Sequence, residues 1–527
     1  MAAKEDHQHL VHDQLPDIDY CPNDSPGIAE AVLLGFQHFV TMIGTTVLIP
    51  SLFVYEMGGN TEQLIRVIQT LLFVNGVMTL VQSFFGTRLP IVMNASFSYV
   101  IPIWRIVNSP RYRSIFEDYE RFYHTLRAIQ GALICASIIQ IILGFSGLWA
   151  VLLHYLSPLS VAPVIALVGL GLFEYGFPGV ASCIEIGLPE VILLIIISQF
   201  LGRLSAKKKL PFFERFPVLI SAAIIWAYAH LLTVSGAYKH ATELGKDHCR
   251  TDRAHFVKTA PWYDLKVRLP FPLEWGAPTF NAGDAFAFLA SAFVSQVEST
   301  ATIYGVSRLS NATPPPPFIV GRSIGWQGIG VLLNGLFGTI TGSAVSVENA
   351  GLVGLTRVGS RLTVQIAALF MIVLSIFGKF GAIVASIPQP IVAAINSVLY
   401  AVLAAVGLSY LQFTNLNIIR NLFILGFTLF MGFSIPQYFY EFTISSGHGP
   451  VHTGAGWFND ILNTIFSSNA MVGFILVVIL DNALKTHKKN RGYGWWKKYH
   501  KWKTSATNEE FYKLPFNLNK YFPPPQV

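Results

Sequence analysis

Long apolar stretches recur along almost the whole chain, separated by short joints rich in polar residues, glycine and proline. About fourteen segments can be marked: 28–52, 64–85, 89–104, 129–151, 158–177, 188–201, 216–234, 282–305, 325–341, 341–361, 362–380, 390–411, 418–435 and 465–484. A helix of about 20 apolar residues crosses the roughly 30 Å hydrocarbon core of a bilayer, so the pattern predicts a polytopic all-α membrane protein. Two segments break the pattern. The third, 89–104, is short, and the tenth, 341–361, is too polar and too rich in glycine for an ordinary span.

The tenth segment reads T-G-S-A-V-S-V-E-N-A-G-L-V-G-L-T-R-V-G-S-R. Its composition predicts an extended piece over 343–347 and a half-helix over 349–355, with Asn349 as the N-cap. In the third segment, Asn94-Ala95-Ser96-Phe97-Ser98 mirrors that break, with Ser96 placed to cap the helix that follows. Non-helical backbone at membrane depth survives only where protein buries it or where it lines a cavity. The long joint 235–279 divides the chain into two seven-segment halves, each broken at its third segment. Matching breaks in two odd-numbered halves predict repeats of inverted topology, with a binding site where the breaks meet.

Composition agrees with a membrane protein. Of 527 residues, 52% are hydrophobic and 12% charged, and the mean hydropathy is +0.50. The first 27 residues are polar, with Asp6, His7, His9, Asp13, Asp17 and Asp19, so the first span is expected to act as the targeting signal. The net charge of +7 sits mostly in basic joints and the tail: Lys207, Lys208 and Lys209, then Lys485, Lys488, Lys489, Arg491, Lys497 and Lys498. The positive-inside rule puts these, and both termini, in the cytoplasm and the joint 235–279 outside. Arg111, Arg113 and Arg121 lie on the outer side against that rule. The four cysteines, Cys21, Cys135, Cys183 and Cys249, show no metal spacing, and no disulfide framework is expected of them. Pro314–Pro317 reads as a polyproline II connector or, less simply, a ligand for a proline-reading domain. Asn311-Ala-Thr313 is a glycosylation sequon placed on the cytoplasmic side, where it would go unused.

Charges inside apolar segments carry the chemistry. Glu298 is alone in an otherwise uncharged stretch, at an insertion cost of about 2.5–3.5 kcal/mol for a charged side chain at mid-membrane. Ser291, Ser295, Glu298 and Thr302 recur at helical spacing and form one stripe. Glu348 stands at the break itself, and the first span offers Gln37, Thr41 and Thr45 with His38 beside them. Phe97 is placed either to stack on a flat ligand or to pack. Two carboxylates, hydroxyls, amides, an aromatic face and two half-helix N-termini suit a small planar heterocycle bearing both N–H and C=O groups. No H-E-x-x-H, G-x-S-x-G or metal-ligand cluster is present, so nothing points to a membrane enzyme, a metal or a cofactor.

From Gly35-Phe36-Gln37-His38 to Leu514-Pro515-Phe516-Asn517 the chain resembles the nucleobase–ascorbate transporters, also called the nucleobase:cation symporter-2 family, and especially its plant members. The residues that carry the resemblance are Glu348-Asn349-Ala350-Gly351 with Thr356-Arg357, the Gln37-His38 pair, and Gln296-Val297-Glu298-Ser299-Thr300. It implies fourteen spans in two inverted seven-span repeats, arranged as a core domain (28–151 and 280–380) and a gate domain (152–235 and 388–484). The remaining parts are the cytoplasmic tails 1–27 and 485–527 and the extracellular loop 236–279. It also implies a homodimer in the plasma membrane whose core moves like an elevator. Glu298 and Glu348 would hydrogen-bond a nucleobase, backbone near Ser96, Phe97 and Val347 would add contacts, and Asn349, Gln37 and His38 would hold the architecture. Coupling to a cation, protons ahead of sodium, is implied as well. Thr302 and Gln327, however, stand where many microbial relatives carry ionisable groups linked with coupling.

The competing substrate reading is ascorbate or another small organic anion. Anion exchange on the sulfate-permease plan fits less well, because only about forty residues follow the last span. A receptor that does not transport is the remaining alternative, and a role with nucleic acid has no support.

Overall fold

The structure is a computed structural model, and it describes residues 15, 17–201, 212–238, 249–251, 268–377, 387–484, 486–492 and 511–520. Asp6, His7, His9, Asp13, Lys207, Lys208, Lys209, Lys485, Lys497, Lys498 and most of the joint 235–279 lie outside the described residues. In chain order the main elements are α1 (Ile28–Phe53), α2 (Thr61–Phe84), β1 (Met93–Ala95), α3 (Val100–Val107), α4 (Asp118–Phe145), α5 (Pro158–Leu170), α6 (Ile184–Ile195) and α7 (Pro217–Val234). They continue with α8 (Ala282–Leu309), α9 (Pro317–Phe337), β2 (Ser343–Val345), α10 (Val347–Thr356), α11 (Arg361–Ser375), α12 (Gln389–Ser409), α13 (Ile419–Ser446), α14 (Gly456–Phe466) and α15 (Asn469–Ala483). Among the described residues eight helices are long and apolar enough to cross a membrane, or nine if the bent pair α14–α15 is one span.

Helix ends follow local chemistry. Asn60 opens α2 with a capping box: its side chain accepts from Gln63 N at 3.0 Å, and its own N–H donates to Gln63 Oε1 at 2.7 Å. Asn281 opens α8 by accepting from Gly283 N and Asp284 N. Gly338, at φ +73°, closes α9 in the left-handed conformation that glycine adopts without strain.

Two sets of helices pack mainly among themselves. The first comprises α1, α2, α4, α8, α9 and α11; the second comprises α5, α6, α7, α12, α13 and α15. Close packing in the first set needs glycine at the α4–α9 crossing, where a Cβ on Gly144 would lie 2.1 Å from Gly325 N.

The two predicted breaks meet. β1 and β2 pair antiparallel with Met93 opposite Val345, Asn94 opposite Ala344 and Ala95 opposite Ser343. The pairing extends at both ends through Ser96 N to Gly342 O at 3.0 Å and Ser346 N to Val92 O at 2.9 Å. All six strand residues are buried, so their backbone groups must be paired within the protein, and the short ladder does that.

Several expectations are corrected. Cys183 and Cys249 form a disulfide. No spacing pattern announces it, because the two cysteines are separated by 66 positions. The last predicted span, 465–484, corresponds to α15 alone; the helix before it, α14, which hydropathy did not mark, meets it at 86° around Ser467–Ser468. The ninth span begins at Pro317 rather than at 325, and the fourth ends before Gly147, whose φ of +81° turns the chain. Pro316 has the backbone of a polyproline II residue (φ −56°, ψ 148°). Pro314–Pro317 is buried, however, so it is not displayed to a proline-reading domain. Next to it lies Tyr512, whose hydroxyl donates to Thr313 O.

Candidate substrate site at the paired breaks

Each strand runs directly into a helix N-terminus. After β1, Ser96 has extended backbone, and its Oγ accepts from Ser98 N at 3.3 Å at the start of the turn Phe97–Tyr99 that leads into α3. After β2, Ser346 does the same for α10, accepting from Asn349 N at 3.2 Å. Ser96 thus caps as expected, whereas the cap of α10 is Ser346 and not Asn349. The extended backbone of Ser346 lets the helix begin at Val347, which places Asn349 inside the first turn. Because the strands are antiparallel, the two helix N-termini, with N–H groups that no preceding turn satisfies, sit at opposite ends of the two-stranded ladder.

Asn349 turns instead to α1. Its Nδ2 donates to His38 O at 2.8 Å and lies 3.1 Å from His38 Nδ1, while its Oδ1 is 2.7 Å from Ser346 Oγ. Asn349 and His38 thus tie the half-helix to the first helix. Glu348, buried, receives Ser346 Oγ at 2.7 Å, Thr45 Oγ1 from α1, and Tyr400 OH from α12 at 3.4 Å. Glu298, on α8, accepts from Ser98 Oγ at 2.5 Å and from Ser468 Oγ at 3.4 Å. Ser468 caps α15 at the 86° bend. Each carboxylate is therefore held by a hydroxyl from a paired break and by a hydroxyl from the second set of helices.

A cavity of about 580 Å³ adjoins this arrangement. Phe97, Ser98, Glu298, Tyr175 and Ser468 line it, with Trp104 and Tyr440 further along its wall. That is ample for one small heterocycle, and the mixture of apolar wall and a few convergent polar groups is typical of ligand sites. Of the predicted residues, Glu298 and Phe97 line the cavity, while Glu348, Ser96, Val347 and Asn349 belong to the paired breaks and do not line it.

Other predicted residues lie elsewhere. Gln37 leaves the stripe with Thr41 and Thr45: its Nε2 donates to Arg215 O at 3.1 Å and its Oε1 accepts from Leu219 N at 3.3 Å, gripping the start of α7. Thr41 and Thr302 bond back to their own helices, at Gln37 O and Glu298 O. The stripe on α8 divides in the same way, since Ser295 accepts from Gln140 at 3.0 Å and from Gln327 at 3.2 Å, away from Glu298. Thr356 bonds to Leu352 O, and Arg357, at φ +59°, ends α10 and pairs with Glu214 at 2.6 Å. Tyr175, Tyr400 and Ser468 were missed. The sole trace of Ser468 is the polar run Ser467-Ser468-Asn469 inside an apolar segment.

Comparison with known proteins places the chain in a family. Residues 29–441 match a family described as "Permease family". Nucleobase-ascorbate transporter 1 of Arabidopsis thaliana is 54% identical over 518 residues, covering 98% of this chain and 99% of that protein. Nucleobase-ascorbate transporter LPE1 of Zea mays is 48% identical over 522 residues, covering 98% of each. Among solved structures, the murine Solute Carrier 26 family member A9 anion transporter matches with a TM-score of 0.46 and 15% identity, over 87% of this chain and 69% of that one. The chain is a membrane permease and not an enzyme, and it belongs to the nucleobase–ascorbate transporter family.

Proposed function

We propose that the protein carries a nucleobase (a purine such as xanthine, uric acid, guanine or adenine, or uracil) across the membrane, bound where the two chain breaks meet. The observation that carries this reading is the pair of carboxylates, Glu298 and Glu348, each bridged by hydroxyls between a paired break and the second helix set. Carboxylates accept from the N–H edge of a base, and half-helix N-termini donate to its carbonyls. Ser98 and Ser468 donate to the Glu298 oxygens that a base's N–H groups would use. The names of the plant relatives support the same substrate class.

In this reading the first helix set is the substrate-bearing core and the second is the gate, and the chain makes fourteen spans in two inverted repeats of seven. The core slides against the gate like an elevator, within a homodimer in the plasma membrane. The bonds that such a movement would exchange are Gln37 to Arg215 and Leu219, Tyr400 to Glu348, and Ser468 to Glu298. Both termini are cytoplasmic. The Cys183–Cys249 disulfide favours that orientation, since it belongs to an oxidising compartment and both cysteines fall on the predicted outer side. Proton symport is the proposed drive, with Thr302 and Gln327 supplying no charge to it.

The test is accumulation of radiolabelled xanthine and uracil in a host lacking its own base uptake, with unlabelled bases and ascorbate as competitors, with and without a protonophore. Accumulation that bases suppress, ascorbate does not, and the protonophore abolishes is the expected result. Suppression by ascorbate alone would move the substrate to the organic-anion class, and accumulation indifferent to the protonophore would remove proton coupling.

A further inference from the structure

Phe97 and Tyr175 face each other with ring centroids 4.1 Å apart and planes 25° from parallel. They come from opposite sides of the site. Phe97 opens the helical turn at the first break, whereas Tyr175 closes the short turn Phe173–Tyr175 that follows α5. Both rings line the same cavity as Glu298. Tyr175 is half-buried and sits in a turn between Gly171 and Gly176 rather than inside a long helix, so its ring is held by few backbone constraints.

We propose that Tyr175 is a specificity-determining residue, and that a flat ligand enters by inserting between Tyr175 and Phe97. The inference rests on the nucleobase reading and deepens it. Stacked carbon planes touch at about 3.5 Å, so a ligand sandwiched between two rings needs them about 7 Å apart. The observed 4.1 Å leaves no room for a third plane, so in this conformation Tyr175 covers the face of Phe97 that a base would use. Insertion exchanges one ring–ring stack for two ring–ligand stacks. A planar heterocycle offers a π-face to each side, whereas a lactone carrying a tetrahedral side chain does not. Stacking is indifferent to the hydrogen-bonding edge, so Tyr175 selects for flatness while the carboxylates select among bases. Because the turn at Phe97 packs against α8 of the first set and the turn at Tyr175 against α12 of the second, the sandwich also senses whether the two sets are close.

The experiment measures KM and maximal uptake of radiolabelled xanthine and uracil at matched surface abundance, for Tyr175→Phe, Tyr175→Leu and Tyr175→Ala. Tyr175→Phe keeps the ring and is expected to stay close to wild type. Tyr175→Leu keeps bulk without a π-face, and like Tyr175→Ala it should raise KM about tenfold, the scale of one lost base–aromatic stack, with maximal uptake changed less. An unchanged KM in Tyr175→Leu, or a rise in Tyr175→Phe equal to that in Tyr175→Leu, would overturn the inference while leaving base transport intact. A wild-type protein that accumulates no base would overturn the substrate reading itself, and the inference with it.

Discussion

At the scale of single residues, Glu348 and Asn349 are neighbours with different duties. Glu348 gathers three hydroxyls, from Thr45, Ser346 and Tyr400, whereas Asn349 binds His38 O on α1. Replacing Glu348 with Gln exchanges an acceptor pair for one acceptor and one donor. The expected outcome is a changed ranking of xanthine, uric acid, guanine and uracil as competitors, because a site built for one hydrogen-bonding edge can reject another by up to about 10⁴. Asn349→Ala removes the tie to α1, a hydrogen bond whose net worth is about 0.5–1.5 kcal/mol. It should lower transport of every base together. Competition assays at matched surface abundance separate the two patterns. Glu298, Glu348, Ser96 and Phe97 were legible in the sequence because a carboxylate, or a polar run with an aromatic, is conspicuous among apolar neighbours. Tyr175 and Tyr400 were not, since tyrosine buries its ring like any apolar residue and shows nothing of its hydroxyl until its partner is known.

At the scale of elements, the half-helix α10 decides where the site's donors point. Its cap is Ser346, and Ser346→Ala should cost about 1 kcal/mol, the usual worth of such a cap, read as a lower melting temperature of the purified protein. A sharper effect is expected at Gly351, where α10 crosses α12. A Cβ there would lie 2.2 Å from Leu399 O, so Gly351→Val should displace the half-helix and abolish uptake even where the protein reaches the surface. Wild-type uptake by Gly351→Val would show that α10 tolerates displacement. The existence of both breaks could be read from hydropathy, and so could their meeting, since matched breaks in odd-numbered halves point to one place. The exact start of α10 could not, because Ser346 and Asn349 are equally good caps by type and only backbone conformation chooses between them. The bend between α14 and α15 was hidden because α14 mixes Asn459, Asp460, Asn463 and Thr464 among its apolar residues and so does not register as a span.

For the whole molecule, the membrane class and the meeting of the two breaks followed from hydropathy, while long-range ties did not. The Cys183–Cys249 bond and the docking of the segment around Tyr512 join places that sequence distance keeps apart. Arg322, buried within α9, donates to Gly86 O at 2.9 Å and to Tyr512 O at 3.3 Å. Truncating the chain before residue 511 strips one of these carbonyls from a buried guanidinium, so it should lower thermal stability and surface abundance, measured side by side with the full chain. On orientation, a tag within 235–279 should be reachable on intact cells and tags at the termini only after permeabilisation. The reverse result would invert the assignment of sides. The central claim is that the base is held at the paired breaks through Glu298. Its most direct test is uptake of radiolabelled xanthine and uracil by wild type and Glu298→Gln at equal surface abundance in a host without base uptake. Saturable uptake by wild type, reduced to near background in Glu298→Gln, is the expected result; wild-type uptake by Glu298→Gln would contradict it.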